Sequence, residues 1–150
     1  MNAMAPTRPT ELQVCRVRLT ASPAAAAEAR GQVRAAIRAW DIPVDPDIAV
    51  LLTSELVTNA ISHETGTSIT LAVTCSFGQL RVDVHDTSRT LPVLVDASAD
   101  AEAGRGLMLV ASLSATWGIY RTPMGKAVYF TLAFEPGPPR GDGRAQTWGL

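Results

Sequence analysis

Polar and apolar positions along the chain switch between two periods, and the switches mark its elements. Over residues 12–19 the period is two, with Cys15, Val17 and Leu19 on one side and Arg16 and Arg18 on the other. This predicts a half-buried strand. Ser22 and Pro23 then suit a helix cap and first helical position. Ala29, Val33, Ala36, Ile37 and Trp40 recur at helical spacing, so a helix is predicted to about Trp40. A second helix is predicted over residues 46–64, capped by Asp45 or Asp47 around Pro46, with Ile48, Leu51, Leu52 and Leu56 as its apolar stripe and Gly66 as its C-cap.

Period two returns over residues 68–76, where Ile69, Leu71, Val73 and Cys75 share a face. It continues over residues 79–86 with Leu80, Val82 and Val84 inside and Arg81, Asp83 and His85 outside. Phe77-Gly78 between them reads as a hairpin turn. Residues 87–103 lack periodicity and read as a long mobile loop of the kind used as a lid or binding loop. A helix follows from Gly104. Two closing strands, residues 116–121 and 126–134, flank a turn at Pro123-Met124-Gly125, and Val128, Phe130, Leu132 and Phe134 face the core. Residues 1–11 read as a flexible arm and residues 135–150 as a disordered tail, leaving one domain over residues 12–134. The order strand, helix, helix, strand, strand, helix, strand, strand predicts an α/β (α+β) two-layer sandwich. Its sheet is mixed and mostly antiparallel, with the helices on one face.

Composition narrows the function. A chain of 150 residues with 47% hydrophobic residues has room for one substantial core. A net charge of -1 gives no overall attraction to nucleic acid or an acidic membrane surface. Two cysteines far apart, Cys15 and Cys75, point to buried free thiols rather than to a disulfide framework or metal site. No apolar run reaches the length of a membrane span, and the N-terminus carries no apolar signal core. A cytoplasmic location is expected.

Three places carry candidate chemistry. On the second helix Glu55, Asn59 and His63 stand four apart and stack along one side. A solvated helix face would also carry Lys or Arg, and this helix has neither; the bland alternative is scattered surface polarity. Asp86 ends an inward-facing row, where a bare carboxylate is costly. It either has a partner there or opens a turn as an Asx residue. Gly104-Arg105-Gly106 before a helix would let backbone N–H groups approach an anion, or serves loop geometry alone. Together these suit a nucleotide: an amide oxygen for a divalent cation, a carboxylate for an exocyclic amine, N–H groups for phosphates, and Glu55 to take a proton.

Glu55-Leu56-Val57-Thr58-Asn59-Ala60 with His63 resembles the N box of the GHKL (Bergerat-fold) ATPase superfamily. Asp86-Thr87-Ser88 is similar to its first G box, and Gly104-Arg105-Gly106-Leu107 with Val110 to its second. With Trp117-Gly118 and Gly125-Lys126-Ala127-Val128, the spacing resembles the anti-sigma-factor serine/threonine kinase branch, and within it the stand-alone ATP-binding regulators of actinomycetes. The resemblance covers residues 19–134.

The resemblance implies a Bergerat-type fold with ATP and Mg²⁺ as cofactors. Asn59 would coordinate the metal, Glu55 would be the catalytic base, and Asp86 would read the adenine amino group. Ser88, Gly104, Arg105, Gly106 and Leu107 would line the base and phosphates, and His63 would pack behind the site or near the phosphates. The implied partners are an anti-anti-sigma (STAS) protein, phosphorylated on Ser or Thr, and a sigma factor; a homodimer is implied, with no direct nucleic-acid or membrane contact. The sequence departs from the pattern at Ser88, where the family has Gly, and at Lys126-Ala127, where Thr often follows the glycine and supports a water-mediated adenine contact. These departures point to a second expectation, a partner-binding module without turnover. A third, the catalytic half of a sensor histidine kinase, is disfavoured because no helix pair with an acceptor His precedes the domain.

Overall fold

The structure, a computed structural model, describes residues 12–63, 68–88 and 101–135, without the side chains of His63 and of residues 101–104. The expected arm, the tail, Glu64, Gly66 and most of the expected loop lie outside these residues. The elements are β1 (Gln13–Thr20), α1 (Ala25–Ala39), α2 (Pro46–His63), β2 (Ser68–Ser76), β3 (Gln79–Asp86), α3 (Ala101–Leu113), β4 (Thr116–Thr122) and β5 (Gly125–Ala133). The strands form one sheet in the order β1-β2-β3-β5-β4. All four pairings are antiparallel, so among the described residues the sheet is wholly antiparallel rather than mixed. Helices α1, α2 and α3 form the second layer, giving the two-layer α/β sandwich.

Register builds the core. Val17 pairs with Leu71, Leu71 with Val84, Val84 with Val128 and Val128 with Ile119. The same face carries Ile69, Val73, Leu80, Val82, Phe130 and Leu132, all in one buried cluster with Val33, Ile37, Leu52, Leu56, Val57, Leu107 and Val110 from the helices. Burial of each such side chain stabilises by about 1.5–3 kcal/mol, and the shared cluster fixes which face of each element turns inward. The Phe77-Gly78 turn closes the β2–β3 hairpin, with Gly78 at a φ of 81° that a side chain would strain.

Helix α2 is the middle helix, packed against α1 on one side and α3 on the other. It therefore buries more than one stripe: Ala49, Val50, Leu52, Leu56, Val57 and Ala60 are all enclosed, while Leu51, expected in the stripe, is 40% exposed. Its start follows the expected chemistry, since the Asp47 N–H donates to Asp45 Oδ1 at 2.9 Å and Pro46 takes the first helical position, where no N–H is required. Thr53 turns its hydroxyl back to the Ala49 carbonyl at 2.7 Å, which lets a polar residue sit in the core.

Several expectations shift. Helix α1 begins at Ala25, with Ala24 as a cap residue that makes no side-chain bond; Ser22 accepts the Ala25 N–H through its carbonyl instead. Helix α3 begins at Ala101 rather than Gly104, because Ala101-Glu102-Ala103 are good helix formers. Phe134 lies just past β5 and donates its N–H to the Gly78 carbonyl. The thiols of Cys15 and Cys75 are free, Cys75 buried and Cys15 half-buried, and burial pushes the Cys75 thiol up.

The helix-free face of the sheet is less solvated than its polar residues suggest. Asp83 is only 5% exposed. Arg81 grips it with two bonds of 2.8 and 2.9 Å, and the Tyr120 hydroxyl donates to it at 2.8 Å. The Arg81 guanidinium also lies 3.9 Å over the Tyr129 ring. The bidentate carboxylate bond holds the Arg81 proton more tightly than usual.

Candidate functional site

Helix α2 runs over β3 and β5 and beside α3, and the candidate residues lie on these four elements. Asp86 is the last residue of β3 and continues the inward row of Leu80, Val82 and Val84. The two sequence readings of Asp86 hold together: it faces inward with a partner, and it opens a turn. Its Oδ1 accepts the Ser88 N–H at 2.9 Å, an Asx turn, while its Oδ2 accepts from Lys126 Nζ at 2.5 Å. Ser88 is buried at 4% exposure, so the residue standing where a glycine was expected supplies its backbone N–H to the carboxylate.

Lys126 was not singled out as a site residue by the sequence reading. It directly opposes Asp86 in the β3–β5 register and is fully buried. A buried ammonium beside a buried carboxylate offsets much of the cost of removing both from water. Period two along β5, through Lys126, Val128, Phe130 and Leu132, already places the lysine on the inner row. The missing information was that β5 lies beside β3.

Gly125 makes that adjacency possible. A Cβ there would lie 2.2 Å from the Asp86 carbonyl oxygen and 2.6 Å from Thr87 Cα. No side chain fits between these two backbones.

Glu55 and Asn59 sit one turn apart on α2. Asn59 is buried at 6% exposure and Glu55 is half-buried. Opposite Glu55 stands Gly106 of α3: a Cβ on Gly106 would meet Glu55 Oε1 at 2.5 Å. The missing side chain is the space that the carboxylate occupies. Leu107, next along α3, is buried in the core at 1% exposure and anchors the helix, while Arg105 points outward and is exposed.

The structure thus brings Glu55 to Gly106 and joins Asp86, Ser88 and Lys126. His63 is the last residue of α2, and its side chain lies outside the described atoms. The N–H groups without an intrahelical acceptor belong to the opening turn of α3, residues 101–103. Gly104 is the fourth helical residue, so it and Gly106 lie inside the helix rather than at its open end, as the sequence predicted.

Among the described residues no group of three His, Cys, Asp or Glu is placed to hold a metal. A cation at Asn59 would take its other ligands from phosphate and water, as Mg²⁺ does at nucleotide sites. The set fits a nucleotide: a carboxylate pair of contacts at one end, an amide and a second carboxylate one helical turn apart, and a helix opening with free N–H groups. A cavity of about 420 Å³ is lined by Arg16, Arg18, Thr70 and His85 from the helix-free face of the sheet and also by Asp86 and Thr87, so it borders the base end of this site.

No helix among the described residues is long and apolar enough to cross a membrane. Comparison with curated proteins returns no match. The sequence pattern of the histidine kinase-like ATPase domain matches residues 19–132, a span that contains α2, Asp86, the glycines of α3 and Lys126. By that match and by its antiparallel two-layer architecture, the chain belongs to the family of histidine kinase-like ATPase domains.

Proposed function

We propose that this member of the family is an ATP- and Mg²⁺-dependent protein serine/threonine kinase of the anti-sigma-factor type, phosphorylating an anti-anti-sigma (STAS) partner. In this reading it also holds a sigma factor, works as a homodimer and acts in the cytoplasm. The observation that carries the proposal is the placing of Glu55. Its carboxylate lies against the bare Cα of Gly106, one turn from the buried amide of Asn59, beside the helix whose opening turn suits phosphates. The glycine leaves the Glu55 carboxylate its room at the α2–α3 contact, where any side chain would displace it.

The roles follow from the chemistry of each group. Asp86 accepts from the exocyclic amine of the base, and Ser88 fixes that carboxylate through its N–H. Asn59 offers its amide oxygen to the cation, and the opening turn of α3 ahead of Gly104 offers N–H groups to the phosphates. Bound ATP with Mg²⁺ supplies the phosphoryl group and the charge that screens its oxygens. Glu55 takes the proton from the partner's Ser or Thr hydroxyl as that oxygen bonds to the γ-phosphorus and the bond to the bridging oxygen breaks. The remaining work is positioning, which rigid helices do better than loops.

A second reading, a partner-binding module without turnover, is favoured by one observation: the Asp86 carboxylate already holds Lys126 and Ser88. Titration calorimetry with ATP and Mg²⁺, followed by phosphate transfer to a purified STAS partner, separates the two. The kinase reading expects ATP binding that Asn59→Ala weakens, and a Glu55→Ala protein that still binds ATP but transfers no phosphate. Unchanged transfer by Glu55→Ala would remove Glu55 from the mechanism. Absence of nucleotide binding at millimolar ATP would leave the binding-module reading.

A further inference from the structure

Arginines on the helix-free face of the sheet are used in two ways. Arg81 is held by the Asp83 carboxylate and lies over the Tyr129 ring. Arg16 and Arg18, two apart on β1, make no ion pair among the described residues. Both are exposed, and both line the cavity of about 420 Å³, a size typical of small-molecule sites. An opposite charge across the strands would be the ordinary way to stabilise such a residue. Across from Arg18 stands Thr70 instead, and across from Thr70 stands His85.

Those two residues form the floor of the cavity. Thr70 offers a hydroxyl. Burial pushes the His85 imidazole pKa down, so near neutral pH the ring is uncharged and keeps one N–H to donate. The ring packs at 89° to that of Tyr120. Asp86 borders the cavity, but its side chain is 1% exposed and its charge is matched by Lys126. The far wall is apolar, formed by Pro123 and Met124 of the β4–β5 turn, with Met124 74% exposed.

Charge and spacing together select a ligand. Two guanidiniums bring two positive charges, each on a fork of donors that fits two oxygens of a phosphate. A phosphate monoester carries about −1.5 to −2 at pH 7, whereas a carboxylate would leave one guanidinium unmatched. Residues two apart on a strand lie about 7 Å from each other, close enough for both side chains to reach one phosphate. From β1 to β5 is three strand spacings, about 14 Å. A phosphate held by the arginines therefore reaches Met124 only through an organic body of its own.

We propose that this cavity binds a small phosphate monoester, its phosphate between Arg16 and Arg18 above Thr70 and His85, and its apolar body laid on Pro123 and Met124. The site is distinct from the groups on α2 and α3 and does not depend on the nucleotide reading.

Titration of the full chain with naphthyl phosphate, followed by calorimetry and by amide NMR shifts, tests the proposal. Binding at about millimolar Kd or tighter is expected, with shifts at Arg18, Thr70, His85 and Met124 and none at Glu55 or Gly106. Arg16→Gln and Arg18→Gln change exposed side chains and leave the fold intact; each is expected to weaken binding about tenfold. Inorganic phosphate, which lacks the apolar body, and naphthoate, which lacks the second charge, are each expected to bind at least about tenfold more weakly. No binding at about 10 mM naphthyl phosphate, shifts confined to α2 and α3, or affinity unchanged in both arginine variants would overturn the proposal. Equal binding of inorganic phosphate would overturn the part given to Pro123 and Met124, and equal binding of naphthoate would overturn the assignment to a phosphate.

Discussion

Replacing Gly106 with alanine separates what the fold requires from what the chemistry requires. The new Cβ would stand 2.5 Å from Glu55 Oε1, whereas ordinary contact needs about 3.5 Å. The carboxylate has to retreat by about 1 Å. It is the far end of a flexible, half-buried side chain, so a change of rotamer costing about 0.5–1.5 kcal/mol suffices. Against this, alanine in a helix interior is better than glycine by about 1 kcal/mol. The two nearly cancel, and Gly106→Ala is expected to unfold in urea within about 1 kcal/mol of the native chain. With Glu55 as the proposed base, activity behaves otherwise: a 1 Å displacement of a reacting group costs about a hundredfold in rate. Paired urea denaturation and phosphotransfer assays should therefore show a stable, nearly inactive protein that still binds ATP. A loss of stability beyond about 2 kcal/mol would show that Glu55 is locked in place by the fold. Native stability with native transfer would show that the position of this carboxylate does not matter to the reaction.

Two further outcomes follow from the same physical reasoning. Gly125→Ala meets backbone, 2.2 Å from the Asp86 carbonyl oxygen, and nothing there can rotate away; a loss of about 3 kcal/mol or more is expected, and a native urea midpoint would mean that β5 does not approach Asp86–Thr87. For His85, burial pushes the imidazole pKa down, with Arg16 and Arg81 acting in the same sense and Asp83 and Asp86 opposing them. The unfolded chain then binds the proton more readily, so this contribution to stability is present above about pH 6.5 and is lost as pH falls through the lower folded pKa. Stability measured from pH 7.5 to pH 5 should fall less steeply in His85→Gln than in the native chain, and parallel curves would refute the assignment.

Much of this architecture was legible because local chemistry marks it. β2 and β3 have the bounds expected from period two, and the Phe77-Gly78 turn fixes where one ends and the other begins. The start of α2 was legible from Asp45-Pro46. Ser22 misled because a residue suited to capping did not cap: the chain turns through the Ser22 carbonyl and enters α1 at Ala25. Gly104 and Gly106 misled because glycine was read as a boundary. In the structure α3 runs through both, and the gap at Gly106 admits Glu55. Of the site, Glu55 and Asn59 were legible from helical spacing, and Asp86 from the end of its inward row. Lys126 carried the same periodic signal, but its pairing with Asp86 depends on a register between residues 40 positions apart, which no local pattern contains.

That distant register also divides the molecule mechanically. The sheet consists of two local hairpins, β2–β3 and β4–β5, joined along the β3–β5 line, with β1 added at one edge. Joining the hairpins requires closing a long loop, whose entropy must be lost before the contacts across the line are gained. Asp86 and Lys126 sit at one end of this line and are ionically joined across it. The line is therefore a folding seam with a rivet at the end where the proposed function places the nucleotide base. Anything bound there touches both halves at once and closes the same seam that the chain must close to fold.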